Sequence, residues 1–360
     1  MNGEPWAERA AAAERSILAR HLRAAPWSPG SRLGVLSWPP HWKHRLWVEY
    51  GYWWQAHLLD CLIDAQLREP DPERLRVVRR LPRALRRRNY GRWLNRYYDD
   101  AAWLALAMGR SERLLGVDNG AARAVIAKTL YDAWRTDGPG GGIPWRRGDT
   151  FRNVPANGSM ALVMARVGRI QRAGEAVDWI HDHLWDNESD LILEGLRPDA
   201  RDSRVYTYNQ GLVIGAELEL VLAGRDASRL DRLVAAAASN LSRDGVLHGC
   251  GGGDGGLFGG ITVRYLAAVA RELPGTGERE VRIRERARGL VLASAEAAWA
   301  HRAETPEGVF FGPEWDVPAV VPTRRRGSVG HGGASSDPAE RDLSTQLGGW
   351  MLLEAAATLA

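Results

Sequence analysis

The 360-residue sequence is poor in the residues and patterns that mark three common kinds of protein. It has only two cysteines, Cys61 in an apolar stretch and Cys250 in a glycine-rich one, so we expect reduced thiols and no disulfide framework. No apolar run approaches the ~18 residues of a membrane-spanning helix, which predicts no membrane span. Residues 1–23 lack the basic start and apolar core of a secretory signal. We therefore expect a cytoplasmic protein, or a secreted one if a signal has been trimmed away.

Lysine is also scarce, because Lys43 and Lys128 are the only two in the chain. Arginine supplies the rest of the basic charge, and the formal net charge is only +4. The densest basic stretch, residues 74–96, could be a nucleic-acid patch, but acids elsewhere nearly cancel the charge and no binding motif is present. A solvated helical face explains it better, and we predict no nucleic-acid partner.

Strand patterns are missing as well, whereas apolar residues recur at helical spacings of three and four. Glycine- or proline-bearing breaks separate these segments, and aromatic or Asn/Gly-rich helix starts recur every few tens of residues. The pattern predicts an all-α chain that forms an (α/α)6 barrel, a toroid of helical hairpins. We expect one domain over residues 1–360, with a mobile loop around 312–342. The helical segments are 52–67, 101–108, 121–134, 160–170, 211–222, 230–241, 261–270 and 290–300.

Tryptophan, in contrast, is abundant, with 16 in the chain. Large helical cores bury some tryptophans. The cluster at residues 38–54, which includes Trp53 and Trp54, holds more than one core needs. Because the C–H faces of sugars pack on aromatic rings, the excess favours a carbohydrate-binding cleft.

The most informative motif is an acid pair, Asp99-Asp100, with Tyr97 and Tyr98 before it and Trp103 after it. Tyr98 is a candidate for substrate binding, because aromatic faces beside carboxylates suit a carbohydrate cleft. Acids before an apolar helix can simply interact with the unpaired N–H groups of its first turn. Alternatively, two carboxylates can share acid, base and nucleophile roles on one glycosidic bond. Adjacent residues suit the separation of about 5–5.5 Å that retaining glycosidases use, which favours retention.

Three further motifs are candidates for substrate binding. The loop 140–145 ends in Trp145, which could stack on a sugar or anchor a plain turn, and Asn157 follows it. Tyr208, Asn209 and Gln210 open a helix, where the amides could bind vicinal hydroxyls, cap the helix or bond backbone. The third motif is the glycine-rich loop that holds Asp254. This loop is neither a phosphate loop, since no Lys-Ser/Thr follows, nor a zinc site, since His248 and Cys250 lack two further ligands.

Taken in order, these motifs resemble glycoside hydrolase family 76, the endo-α-1,6-mannanases. The resemblance rests on residues 50–56, 94–100 with Trp103, 142–145, 157–158, 207–211, 258–266 and 343–346. It implies an (α/α)6 barrel that cleaves α-mannan or mannooligosaccharides with retention of configuration. It further implies Asp99 as the nucleophile, Asp100 as the acid/base, and no metal or organic cofactor.

Two alternatives stay open at this point. Another sugar-processing enzyme of the same fold, such as an unsaturated-glucuronyl hydrolase or an epimerase, would suit the helical pattern. An epimerase would rely on histidines, whereas the nine here are scattered along the sequence. A glycan-binding barrel without catalysis is the other alternative, and the intact acid pair argues against it.

Overall fold

The structure is a computed structural model that describes residues 5–138, 140–323 and 327–360. Within these ranges, helices carry most of the chain, and the strands are two to five residues long. The helices are α1 (Trp6–His21), α2 (Trp42–Arg45), α3 (Tyr52–Arg68), α4 (Pro72–Arg88), α5 (Tyr98–Leu115), α6 (Gly120–Asp132), α7 (Val154–Arg166), α8 (Ile170–Leu184), α9 (Thr207–Leu222), α10 (Ser228–Asn240), α11 (Phe258–Glu272), α12 (Glu278–Ala300) and α13 (Leu343–Ala357). The strands are β1 (Leu22–Ala24), β2 (Arg32–Gly34), β3 (Arg152–Asn153), β4 (Leu193–Leu196), β5 (Arg201–Val205), β6 (Ser242–Arg243), β7 (Val246–Leu247), β8 (Ala303–Thr305) and β9 (Gly308–Phe310).

Helices of two kinds alternate along the chain. In α3, α7, α9 and α13 nearly every residue is buried, so apolar side chains occupy all sides of the helix. In α4, α8 and α10 the buried residues recur at spacings of three and four on a single face. A helix that is apolar on all sides must be covered by other elements on all sides. An amphipathic helix can cover it with its apolar face while its polar face contacts water.

The chain divides into two compact units. Unit 1 comprises residues 1–91, 243–264 and 289–360, and unit 2 comprises residues 92–242 and 265–288. The expectation of one domain over the whole chain, and that of a mobile loop around 312–342, stay predictions. Arg324, Arg325 and Arg326 of that loop lie outside the described residues.

Unit 1 is built around α3 and α13, with α1 packed on α13 and α4 packed on α3. Trp350 of α13 is fully buried and donates through Nε1 to Glu354, 2.9 Å away. Burial raises the pKa of Glu354 to about 6, although Arg68 lies 3.1 Å from its carboxylate. Arg68 also contacts Glu14 at 2.7 Å, so a buried ion network ties α1, α3 and α13 together.

Unit 2 is built around α5, α7 and α9, with α6, α8 and α10 packed on them. Gly158 lets α7 and α9 approach closely, because a Cβ there would lie 3.0 Å from Leu212 Cβ. The antiparallel sheet β3-β4-β5 joins the starts of α7 and α9, since β3 runs into α7 and β5 ends just before α9. The sheet therefore fixes the relative position of two helix starts.

The predicted helical character is confirmed, but several helices were missed or misplaced. Helices α1, α2, α4 and α8 were not predicted. Helix α1 is mostly alanine and charged residues, α2 has only four residues, α4 is dominated by charged residues, and α8 begins inside a predicted segment. The segment 160–170 is wrong as a single helix. Helix α7 ends at Arg166, and Gly168 adopts a left-handed φ of 77° before α8 begins.

Among the described residues, none of the helices is both long and apolar enough to cross a membrane. Cys61 and Cys250 form no disulfide, as predicted.

Candidate active site

The acid pair lies in the first turn of α5, where Tyr97 occupies the N-cap position. The side chain of Tyr97 does not cap the helix; instead Asp99 Oδ1 accepts a hydrogen bond of 2.8 Å from the backbone N–H of Asp100. Both carboxyls are half-buried rather than fully exposed. The positive end of the helix dipole therefore favours their negative charge, while each remains partly accessible.

Side chains from outside the helix orient each carboxyl of the pair. Trp145 donates through Nε1 to Asp99 Oδ2 at 2.9 Å. Asn95 donates through Nδ2 to Asp100 Oδ2, and its Oδ1 accepts from the backbone N–H of Tyr97 at 2.8 Å. N–H donors stabilise the charged form of a carboxylate and restrict its rotation. The predicted residues Asp99, Asp100, Tyr98 and Trp145 thus come together at one helix start.

Trp145 is held in place by backbone bonds and by neighbouring rings. The backbone N–H of Tyr98 donates to Trp145 O at 3.0 Å, and Trp145 N–H donates to Phe151 O at 2.7 Å. The rings of Tyr97 and Trp145 lie 5.0 Å apart, and the guanidinium of Arg146 lies 5.3 Å from the Trp145 ring. The indole is therefore a fixed part of the site, and stacking of a sugar on its half-buried ring stays a prediction.

Two glycines of the loop are required by packing within the fold. Gly141 and Gly142 have φ values of 128° and 79°, and a Cβ on them would lie 2.9 and 3.1 Å from Trp179 atoms. Asn157 then fixes the next residue, Ile143, through Oδ1 to the backbone N–H at 2.7 Å and Nδ2 to the carbonyl at 2.9 Å. Nδ2 also bonds Asn153 O at 2.9 Å, so both amide hydrogens of this fully buried side chain are used. Substrate contact by Asn157 stays a prediction, and its observed contacts position the loop that carries Trp145.

Tyr208, Asn209 and Gln210 lie in the first turn of α9, as the sequence predicted. The amide of Gln210 bonds both backbone groups of Ile192, each at 2.8 Å, which matches the backbone-bonding alternative for this residue. Asn209 donates through Nδ2 to Glu194 at 2.8 Å, and its buried Oδ1 has no hydrogen-bond partner within the described part of the chain. Tyr208 is mostly buried, with its ring centroid 6.1 Å from that of Tyr206.

Glu194 is a residue of this region that the sequence analysis missed. It lies on β4 and is 6% exposed, and its two oxygens accept from Asn209 and, at 3.3 Å, from Asn153. Burial raises the pKa of Glu194 to about 7, against the opposing effect of the two amide donors. The available signal was a lone acid within an otherwise apolar run, residues 191–196.

The other predicted substrate residues come together in unit 1. Asp254 Oδ1 accepts from Trp53 Nε1 at 3.1 Å and from Trp54 Nε1 at 2.8 Å. Trp54 is buried, whereas Trp53 is half-buried. Burial raises the pKa of Asp254 to about 6; the two indole donors lower it, and the nearby Asp342 raises it further. The structure thus assembles Trp53, Trp54 and Asp254 into one cluster built on the start of α3.

The structure is similar to solved structures of bacterial proteins. An α-1,6-mannanase of Salegentibacter sp. HEL1_6 matches with a TM-score of 0.81 and 26% identity, covering 99% of this chain and 100% of that one. An inactive variant of that enzyme, in which two consecutive aspartates are replaced by asparagine, is solved with α-1,6-mannotriose and matches with a TM-score of 0.83, 25% identity and the same coverage. The Lin0763 protein of Listeria innocua matches with a TM-score of 0.82 and 24% identity, over 99% of this chain and 98% of that one. No curated protein matches the sequence.

The fold and family follow from these likenesses. The relatives are (α/α)6 barrels, and the near-complete coverage confirms that fold for this chain. The model of glycosyl hydrolase family 76 matches residues 6–320, which is most of the sequence. The chain therefore belongs to glycosyl hydrolase family 76.

Proposed function

We propose that the protein is a retaining glycosidase that hydrolyses α-1,6-linked mannosides, either in a mannan backbone or in mannooligosaccharides. The observation that carries the proposal is the oriented acid pair at the start of α5, with Trp145 bonded to Asp99 and Asn95 bonded to Asp100. Asp99 and Asp100 are the only two consecutive aspartates in the sequence. The Salegentibacter mannanase is inactive when two consecutive aspartates are replaced, which supports a catalytic role for this pair.

In the proposed first step, Asp99 attacks the anomeric carbon of the mannoside while Asp100 donates its proton to the glycosidic oxygen. The carbon–oxygen bond breaks, the shortened glycan leaves as an alcohol, and a covalent mannosyl-enzyme forms on Asp99. In the second step Asp100, now a carboxylate, takes a proton from water as the water oxygen attacks the same carbon. Two inversions restore the α configuration, and Asp99 is released as a carboxylate.

The surroundings of Asp99 suit its role as the nucleophile. Asp99 accepts two N–H donors, from Trp145 and from the Asp100 backbone, which stabilise the negative charge that a nucleophile carries before attack. Trp145 and Tyr97 add aromatic surface beside the carboxyls, against which the apolar face of a sugar ring can pack. The chemistry uses two carboxyls and one water, with no metal or organic cofactor.

The test is incubation of the protein with α-1,6-mannotetraose, with the first product followed by proton NMR before mutarotation. We expect new reducing ends to appear as the α-anomer. Initial release of the β-anomer would mean an inverting enzyme, and no cleavage at all would refute the hydrolase.

Azide, added as an external nucleophile, distinguishes the nucleophile from the acid/base in two alanine variants. With an activated mannoside, Asp99→Ala should give β-mannosyl azide, because azide takes the place of the missing nucleophile. Asp100→Ala should give α-mannosyl azide, because azide then attacks the covalent intermediate. The reverse pattern would exchange the two assignments.

A further inference from the structure

Two histidines, one of them from a distant part of the sequence, meet at one carboxylate oxygen of Glu49 in unit 1. Glu49 Oε2 lies 3.4 Å from His44 Nε2 and 2.8 Å from His331 Nδ1, although His331 is 282 residues further along the chain. One donor atom from each of the three residues lies within 4.8 Å of the other two. His44 is buried, Glu49 is half-buried and His331 is exposed, so the cluster reaches from the protein interior to the surface.

We propose that His44, Glu49 and His331 form a binding site for a divalent transition metal of the zinc type. Two imidazole nitrogens and one carboxylate oxygen are a donor set that zinc accepts, with a fourth position left for water. Bonds of about 2.0–2.2 Å in tetrahedral geometry separate two ligand atoms by roughly 3.4 Å. The observed separation of 3.4 Å between His44 Nε2 and Glu49 Oε2 equals this value. The exposed His331, whose Nδ1 lies at a hydrogen-bond distance of 2.8 Å from Glu49 Oε2, would move away from that oxygen to make room for the ion.

The residue behind His44 supports this assignment. The second ring nitrogen, His44 Nδ1, lies 2.7 Å from the hydroxyl oxygen of Ser37, which is fully buried. Metal-binding histidines characteristically bond their other nitrogen to a polar group, which fixes the ring and leaves the ligating nitrogen unprotonated. A metal-bound His44 would donate through Nδ1 to the Ser37 hydroxyl, which leaves Nε2, beside Glu49, as the ligating nitrogen.

One carboxylate oxygen of Glu49 and the position of the cluster beside a cavity are also compatible with a bound ion. The ammonium of Lys43 lies 3.6 Å from Glu49 Oε1, whereas both histidines contact the other oxygen, Oε2. Oε2 therefore remains available to a metal. His331, the exposed member of the cluster, and His41 line a cavity of about 890 Å³. The ring of His41 is 5.3 Å from that of His331, so a third imidazole borders the same space.

Metal binding would tie the glycine- and serine-rich segment 327–337 to the region of α2. That segment contacts Asp254, whose backbone N–H donates to Gly333 O at 2.8 Å. Asp254 in turn accepts from the indoles of Trp53 and Trp54. If the proposed function is correct, the metal would stabilise a segment that supports predicted substrate-binding residues, and it would take no part in bond cleavage.

The test uses the full-length protein, stripped with a chelator and dialysed into metal-free buffer. Zn²⁺ titration by calorimetry, with metal content measured by mass spectrometry after gel filtration, should give one ion per chain and raise the unfolding temperature. Co²⁺ in place of Zn²⁺ should give the intense visible absorption of a tetrahedral site. These readouts do not depend on activity, so the site could be confirmed even if mannoside cleavage were not observed.

Variants locate the site. His331→Ala and Glu49→Gln should each weaken Zn²⁺ binding by at least about 100-fold, and Ser37→Ala by roughly 10- to 100-fold. His331 is exposed, so its replacement should leave the apo-protein's unfolding temperature unchanged. His301→Ala, which removes a histidine outside the cluster, is the matched control and should bind zinc normally. Absence of stoichiometric zinc in the wild type, or equal zinc affinity of wild type and His331→Ala, would overturn the proposal.

Discussion

The acid pair at the start of α5 and the single acid Glu194 are both held by N–H donors, yet their surroundings differ. Asp99 and Asp100 are half-buried at a helix start, next to the half-buried Trp145. Glu194 is buried between two asparagine amides, and its pKa is raised to about 7. The contrast shows that hydrogen bonding alone does not decide what a carboxyl does. Access for substrate favours chemistry at the pair, whereas burial gives Glu194 a role in holding two helix starts.

The largest effect on activity is expected when either aspartate of the pair is replaced. Asp99→Asn and Asp100→Asn should each lower kcat for α-1,6-mannotetraose on the order of 10³-fold or more, because nucleophile and proton donor are both required. The unfolding temperature should stay near that of wild type or rise slightly, since each change removes one of two adjacent like charges. Asp132→Asn, at an exposed helix position, is the control and should keep full activity. Unfolding of either pair variant would instead assign the acids a structural role.

The next largest effect is expected on the pH dependence of the free energy of unfolding, through Glu194. Its folded-state pKa of about 7 exceeds the ordinary value of 4.5, so the folded state binds the proton more tightly than the unfolded state. This contribution to stability is fully present below pH 4.5 and is lost as pH rises through 7. At 1.36 kcal/mol per unit, the loss is at most roughly 3 kcal/mol.

Glu194→Gln, a neutral replacement, should therefore be progressively more stable than wild type as pH rises from 5 to 8. A half-turn of the Asn209 amide would let its Oδ1, which has no partner within the described residues, accept from the new side-chain amide. Urea unfolding at several pH values measures the difference. A stability difference that does not change with pH would show that Glu194 ionises normally in the folded protein.

A smaller effect is expected at Trp145, which connects the loop with the pair. Trp145→Phe keeps an aromatic ring beside Tyr97 but removes the N–H bond to Asp99, so kcat should fall by roughly 10- to 100-fold with little change in KM. Trp145→Ala should additionally raise KM, because the stacking surface is lost. Its effect on the unfolding temperature should be smaller than its effect on substrate binding. A large drop in unfolding temperature with unchanged KM would make Trp145 a packing anchor.

Much of this arrangement could be predicted from the sequence, and the failures have physical causes. The acid pair, Trp145 and the start of α9 are local motifs, so sequence spacing was enough to identify them. The roles of Asn157 and Gln210 depend on which backbone groups lie opposite, at Ile143 and Ile192, and spacing does not reveal that. The contact of Glu49 with His331 is more distant still, since only the folded chain brings those residues together.

The smallest effect is expected at Asp254, a half-buried acid with a raised pKa, which receives two indole donors in unit 1. Trp53→Phe removes the longer of the two bonds, 3.1 Å, and leaves the 2.8 Å bond from Trp54. Loss of one hydrogen bond to this half-buried acid should lower the free energy of unfolding by about 1 kcal/mol at pH 7. Because the lost donor stabilised the carboxylate form, the pKa of Asp254 should rise further above 6, and the destabilisation should shrink at pH 5. Urea unfolding at both pH values measures this, with Trp42→Phe, at an exposed indole, as the control. Equal destabilisation at pH 5 and pH 7 would mean that Trp53 acts through packing, and that the indole bond does not control the charge of Asp254.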